Sequence, residues 1–226
     1  MKSFFSIFGI VFYSMLYSQT TYTFHTAGNW TDAANWSPSY PGYQVNNVII
    51  NINANCNVMS LLGSNITINI SNGVAFTSSY YLQCFEAILN NYGIYNNTGF
   101  NEMADWDINN YGTINVSAPL SVGWDIGNTS QVFNNYGSIS INNGSALVFV
   151  NDLTFNNIGS LNIGSGGWVY LGYTTSNTGT ILGSGNFEVC ATCTYISSPT
   201  STIQPGNSPG GISFNNINGA ISPAST

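Results

Sequence analysis

One short phrase returns along this chain almost unchanged, and it limits what the chain can fold into. Asn90-Asn91-Tyr92-Gly93-Ile94 is followed by Asn109-Asn110-Tyr111-Gly112-Thr113-Ile114, Asn134-Asn135-Tyr136-Gly137-Ser138-Ile139 and Asn156-Asn157-Ile158-Gly159-Ser160-Leu161. Ser176-Asn177-Thr178-Gly179-Thr180-Ile181 is a decayed fifth copy. The glycines Gly93, Gly112, Gly137, Gly159 and Gly179 recur at uneven steps, and their spacing of about 19–25 residues fits stacked solenoid coils. Asn tolerates the left-handed backbone region and Gly enters it without steric cost, so each phrase reads as a corner.

A strand follows each corner. Ile114 and Val116, Ile139 and Ile141, and Leu161 and Ile163 alternate with small polar residues, as Val48, Ile50 and Ile52, then Ile66, Ile68 and Ile70, do earlier. Period-two alternation turns one side of each strand inward. No stretch shows helical periodicity. A single coil cannot bury its own apolar side, so each must stack on the next at about 4.8 Å. The expected fold is all-β: a single-chain right-handed parallel β-solenoid (β-helix) with irregular coils of about 19–25 residues. Six or seven coils would form a rod roughly 30 Å long, with Asn and Tyr in ladders along one corner. A β-sandwich is the alternative.

Met1-Lys2 precedes an apolar run from Phe4 to Tyr17, with Ser18 before Gln19. This reads as a secretory signal peptide over residues 1–18, too short for a spanning helix. The expected organisation is a Trp-rich cap and first strands over 19–60, coils over 61–200, and a terminal turn and C-terminal segment over 201–226. Lys2 is the only basic residue beside eight acidic ones, so removing the leader leaves no Lys or Arg. That excludes nucleic acid as a partner, because phosphate contacts need cations, and equally excludes attraction to anionic lipid. An apolar fraction of 43% is ample for a folded core.

Asp105-Trp106-Asp107-Ile108 and Gly123-Trp124-Asp125-Ile126 share a Trp-Asp-Ile core that recurs after close to one coil length, and Asp152 takes the place of Asp105 when the corner phrases are aligned. Stacked on adjacent coils, these carboxylates could hold calcium or act as an acid/base pair on a glycan, with Trp106 and Trp124 as sugar platforms. The plainer reading is a repeat position with solvated carboxylates and tryptophans over the core, and it is favoured because the repeat alone explains the spacing. His25, the one histidine, reads as a strand-edge or capping residue, so no His pair can ligate a metal. Cys56, Cys84, Cys190 and Cys193 form an even set, which outside the cytoplasm suggests disulfides with three connectivities. A Cys190/Cys193 redox pair, a four-cysteine zinc site and free thiols are the other readings.

The segment Asn29-Trp30-Thr31-Asp32-Ala33-Ala34-Asn35-Trp36-Ser37-Pro38, leading through Pro41 to Val48-Ile49-Ile50, resembles the opening of large secreted bacterial β-solenoid proteins. Gln204-Pro205-Gly206-Asn207-Ser208-Pro209-Gly210-Gly211 is similar to the Pro-Gly-x-Ser-x-Gly turn of autotransporter-type passengers and related adhesin-like proteins. The resemblance implies an exported structural or adhesive module without catalysis. Its partners would be a cell-surface glycan or another surface protein, and end-to-end self-association is expected where strand edges are left uncapped. A glycan-binding or glycan-cleaving β-helix is the alternative. β-Helix lyases need a Lys or Arg beside the substrate carboxylate, and polygalacturonase-like hydrolases an adjacent aspartate pair; neither occurs after the leader. An ice-binding solenoid would need a recurring Thr-x-Thr ladder, which is also absent.

Overall fold

The structure is a computed structural model, and it describes residues 19–123, 131–150, 153–172, 174–189, 194–197, 202–203, 213–215 and 221–222. The chain is a parallel β-solenoid of about seven turns, with three columns of stacked strands. The first column starts at Thr20–Phe24 and continues through the C-terminal parts of Gln44–Ile52, Cys56–Ile70 and Ala75–Asn91. Trp106–Asn110, Val132–Asn135, Thr154–Asn157, Thr174–Asn177 and Thr194–Ser197 extend it. The second column follows the repeated corner, through Ile94–Asn97, Thr113–Val116, Ser138–Ile141, Ser160–Ile163 and Thr180–Gly183. The third holds Asn101–Met103, Leu120–Val122, Ala146–Phe149, Trp168–Leu171 and Asn186–Val189.

Alternation decides what lies inside. Ile50, Ile52, Ile68 and Ile70 are buried, as are Ile114, Val116, Ile139, Ile141, Leu161 and Ile163. Phe149 and Phe155 stack at 4.6 Å, with Phe133 edge-on to both. At the N-terminal end the Trp36 indole donates to the Trp30 carbonyl (2.7 Å) and the Trp30 indole to that of Gly42 (2.8 Å), with the two rings edge-on at 4.5 Å. The strand Trp36–Ser37 runs antiparallel along Thr23 and Phe24 and covers that part of the outer edge. Stacked rungs thus begin inside the Trp-rich segment.

Coil length varies because the turns between columns vary while the strand register is kept. Phe133 lies opposite Ile108, and Phe155 opposite Phe133 after a shorter step along the chain. The coil from Ile108 to Phe133 takes its extra residues between Val122 and Val132, from the third column back to the first.

The repeated corner differs from its sequence reading in one respect. Its glycines do not have positive φ. A Cβ on Gly112 would lie 2.0 Å from the Gly93 carbonyl oxygen, one on Gly137 2.0 Å from that of Gly112, and one on Gly159 2.0 Å from that of Gly137. Glycine is required here because successive corners pack backbone on backbone. The left-handed residues form a separate column at the bend before the first strand column: Asn47, Asn65, Glu86 and Asp105, with φ between 51° and 56°.

Candidate ligand surface

The asparagines of the phrase are strand residues, and each pair builds two ladders. The second Asn points inward. Asn91, Asn110, Asn135, Asn157 and Asn177 are fully buried, and each amide nitrogen from Asn91 to Asn157 donates to the next amide oxygen toward the C-terminus at 2.7 Å. The same nitrogens also donate to the carbonyls of Thr113, Ser138, Ser160 and Thr180. Buried amides are tolerated on this condition, that donors and acceptors find partners. Only the ladder's ends are left over, the Asn91 oxygen and the Asn177 nitrogen.

The first Asn of each pair points outward, half-buried, in a ladder that runs the opposite way. Asn156 donates to Asn134, Asn134 to Asn109, Asn109 to Asn90, Asn90 to Asn69 and Asn69 to Asn51, at 2.9–3.0 Å. Next to it Tyr92, Tyr111 and Tyr136 stack with ring centroids 4.9 Å apart and planes within 4°. That spacing equals the strand separation. The rings turn faces toward one another, so the stack is a packing ladder between coils.

Of the two Trp-Asp-Ile copies, the structure places the first. Trp106 is 0% exposed and its indole donates to the Cys84 carbonyl at 2.7 Å. It is a core residue, and its ring cannot serve as a platform. With Ile108 opposite Phe133, the same register sets Gln131, not Trp124, opposite Trp106, because this coil is longer than the spacing of the two tryptophans. Asp107 is exposed and accepts from the Val132 backbone N–H (2.9 Å), and Asp105 accepts from the Gln131 amide (2.7 Å). Trp124, Asp125 and Asp152 lie outside the described residues.

Cys56 and Cys84 are free and buried, and burial pushes both thiols up to about 12. They sit in different columns, with Cys56 opposite Phe76 and Cys84 opposite Gly63, so they do not pair with one another. Cys190 and Cys193 lie outside the described residues, as does the Gln204–Gly211 turn. His25 is exposed and bonds Thr26 Oγ1 at 2.9 Å. Among the described residues no three His, Cys, Asp or Glu side chains lie together as metal ligands would. An open polar depression lies against Ser140, Ile141, Asn142, Asn143, Asn162 and Gly164. The outward positions after the corner, Thr113-x-Asn115, Ser138-x-Ser140, Ser160-x-Asn162 and Thr180-x-Leu182, make no Thr-x-Thr ladder.

The third column carries a surface that the repeat phrase does not announce. In Trp168-Val169-Tyr170-Leu171 the valine and leucine are buried, while Trp168 (36% exposed) and Tyr170 face outward. Their rings are 5.8 Å apart at 51°. The Trp168 indole N–H donates to Glu188 Oε2 at 3.2 Å from the next coil, which fixes the ring's orientation. Ala146 and Asn186 flank Trp168 along the rod, and Val148 and Glu188 flank Tyr170. The signal in the sequence is the outward phase of Trp168-x-Tyr170 set by the inward Val169-x-Leu171.

No family model, no curated protein and no solved structure matches this chain.

Proposed function

We propose that this chain is an exported structural or adhesive module of the bacterial surface or extracellular matrix, and that it performs no catalysis. The observation that carries this reading is the use of the repeat: on coil after coil the recurring phrase is spent on ladders that hold coils together. Two amide ladders and a tyrosine stack make a rod whose exterior is a regular polar surface. Such a surface suits spacing and contact along a length. The leader at 1–18 and the absence of Lys and Arg after it support export and a partner other than nucleic acid or anionic lipid.

The test is fractionation of bacteria producing the full chain, with N-terminal mapping and antibody labelling of intact cells. Cleavage after Ser18 and labelling of intact cells are expected, together with retention of labelled cells on a surface. An uncleaved chain confined to the cytoplasm refutes the proposal. A second reading, glycan recognition, is favoured by one observation, the Trp168–Tyr170 pair held by Glu188.

A further inference from the structure

We infer that the outward side of the third column around Trp168 binds a polysaccharide that carries free amino groups; this deepens the adhesive reading above and rests on it. Two aromatic side chains on alternate positions of one strand, 5.8 Å between centroids and inclined at 51°, form a shallow angled platform. Aromatic rings of this kind accept the apolar C–H side of a pyranose and, through the ring quadrupole, an ammonium group. The platform is held before any ligand arrives. Trp168 is anchored through Nε1 to Glu188 Oε2, and its neighbours along the rod, Ala146 and Asn186, are too small to cover the indole.

Charge selects among sugars. Residues 3–226 contain eight acids and no Lys or Arg, so a uronate, sialylated or sulfated chain would meet only like charge and no cation to pair with. Glu188 uses one oxygen for the indole and keeps the other for a cationic donor. Glu102 lies on the same outward row, in register through Ser121, Val148 and Tyr170, so carboxylates stand toward both ends of a strip running along the rod. A linear amino-glycan laid along that strip places sugar faces on the rings and ammonium groups beside the carboxylates. An uncharged polysaccharide would use only the rings.

The experiment is titration calorimetry of the purified full-length chain with a glucosamine hexamer, its fully N-acetylated counterpart and tetramethylammonium. The glucosamine hexamer is expected to bind at least about tenfold more tightly than the acetylated one, with affinity falling as salt rises. Trp168→Ala should weaken it at least about tenfold. Glu188→Gln should weaken it several-fold and flatten its salt dependence, with the circular dichroism of both variants unchanged. Absence of binding, equal binding of the acetylated hexamer, binding indifferent to Trp168→Ala, or tetramethylammonium competing as well as the hexamer would each overturn the assignment. Any of these with the chain still labelled on intact cells removes the ligand and leaves the adhesive reading. A chain found only in the cytoplasm removes that reading independently.

Discussion

Asn134 and Asn135 are neighbours in sequence and identical in chemistry, yet their replacement by leucine should differ sharply in cost. Asn135 is fully buried; it accepts from Asn110 at 2.7 Å and donates to Asn157 Oδ1 at 2.7 Å and the Ser160 carbonyl at 3.0 Å. Leucine keeps the branched shape, with bulkier methyl ends, and makes none of these bonds. Three bonds at ~1 kcal/mol each, plus ~1–3 kcal/mol for the Asn157 oxygen left buried without a donor, are offset by ~1–2 kcal/mol of added apolar burial. The net cost of Asn135→Leu is about 3 kcal/mol. Asn134 makes two ladder bonds, to Asn109 (3.0 Å) and from Asn156 (2.9 Å), at a half-buried position where water can replace them. Asn134→Leu should therefore cost below about 1 kcal/mol. Urea unfolding followed by circular dichroism measures both. Equal costs, or an Asn135→Leu cost under about 1 kcal/mol, would show that the buried ladder does not hold the coils together.

Gly137→Ala should destabilise by more than about 3 kcal/mol, because its Cβ would sit 2.0 Å from the Gly112 oxygen. Gly144→Ala, at φ +75° with nothing within 4 Å, should cost only about 1 kcal/mol; thermal unfolding of the two variants compares a steric clash with backbone strain. Glu86 holds φ 51° without the side chain that tolerates it, so Glu86→Gly should raise stability by up to about 1 kcal/mol, and a lower melting temperature would count against this. The Cys56 and Cys84 thiols are raised from 9.0 to about 12 by burial, which favours their neutral form in the folded state. Their contribution to stability is then complete below about pH 9 and is lost as pH rises toward 12. Urea midpoints should be flat from pH 7 to about 8.5 and fall above that, while Cys56→Ala with Cys84→Ala should reduce the slope.

The architecture is legible because its cause is local. An Asn-Asn-x-Gly phrase at coil period and the period-two apolar residues after it each require stacking, and the stack is what forms. What the phrase does is harder to read. The same Gly can mark a left-handed turn or a close backbone approach, and only the distance to the Gly93, Gly112 and Gly137 carbonyls decides for the latter. For Trp106 the sugar-platform reading is the lesser one beside a place over the core, and alternation separates them: Trp106, Ile108 and Asn110 share one phase, and all three are buried. The spacing to Trp124 misleads because coil length is not constant, and the coil that follows Trp106 is longer than that spacing, carrying the register on to Gln131. Trp168 belongs to no repeat and escapes a reading built on repetition, which draws attention to what is structural and away from what occurs once.

The ends of the inner ladder follow a rule that the register makes testable. Each amide nitrogen is aimed toward the next coil by a second acceptor, the carbonyl of the residue after that coil's glycine, as Asn110 is by Ser138. The ladder therefore has a direction, and it must leave an oxygen bare at Asn91 and a nitrogen bare at Asn177. Asn91 is bare because its neighbour in register is Ile70, which follows Ile52. Ile70→Asn would supply a donor to the Asn91 oxygen but leave its own oxygen facing Ile52, moving the bare end one coil without removing it. The loss is then mainly apolar burial, ~2–3 kcal/mol, against about 1 kcal/mol recovered in ladder bonds, for a net cost of about 2 kcal/mol. Ile68 is equally buried but lies between Ile50 and Leu89, with no amide in register. Ile68→Asn loses the same burial, gains no partner and strands a whole amide, for about 4–5 kcal/mol. Unfolding midpoints of the two variants, on alternate positions of one strand, should differ accordingly. If Ile70→Asn proved as costly as Ile68→Asn, the register of amides along the rod would not be what makes them tolerable inside it.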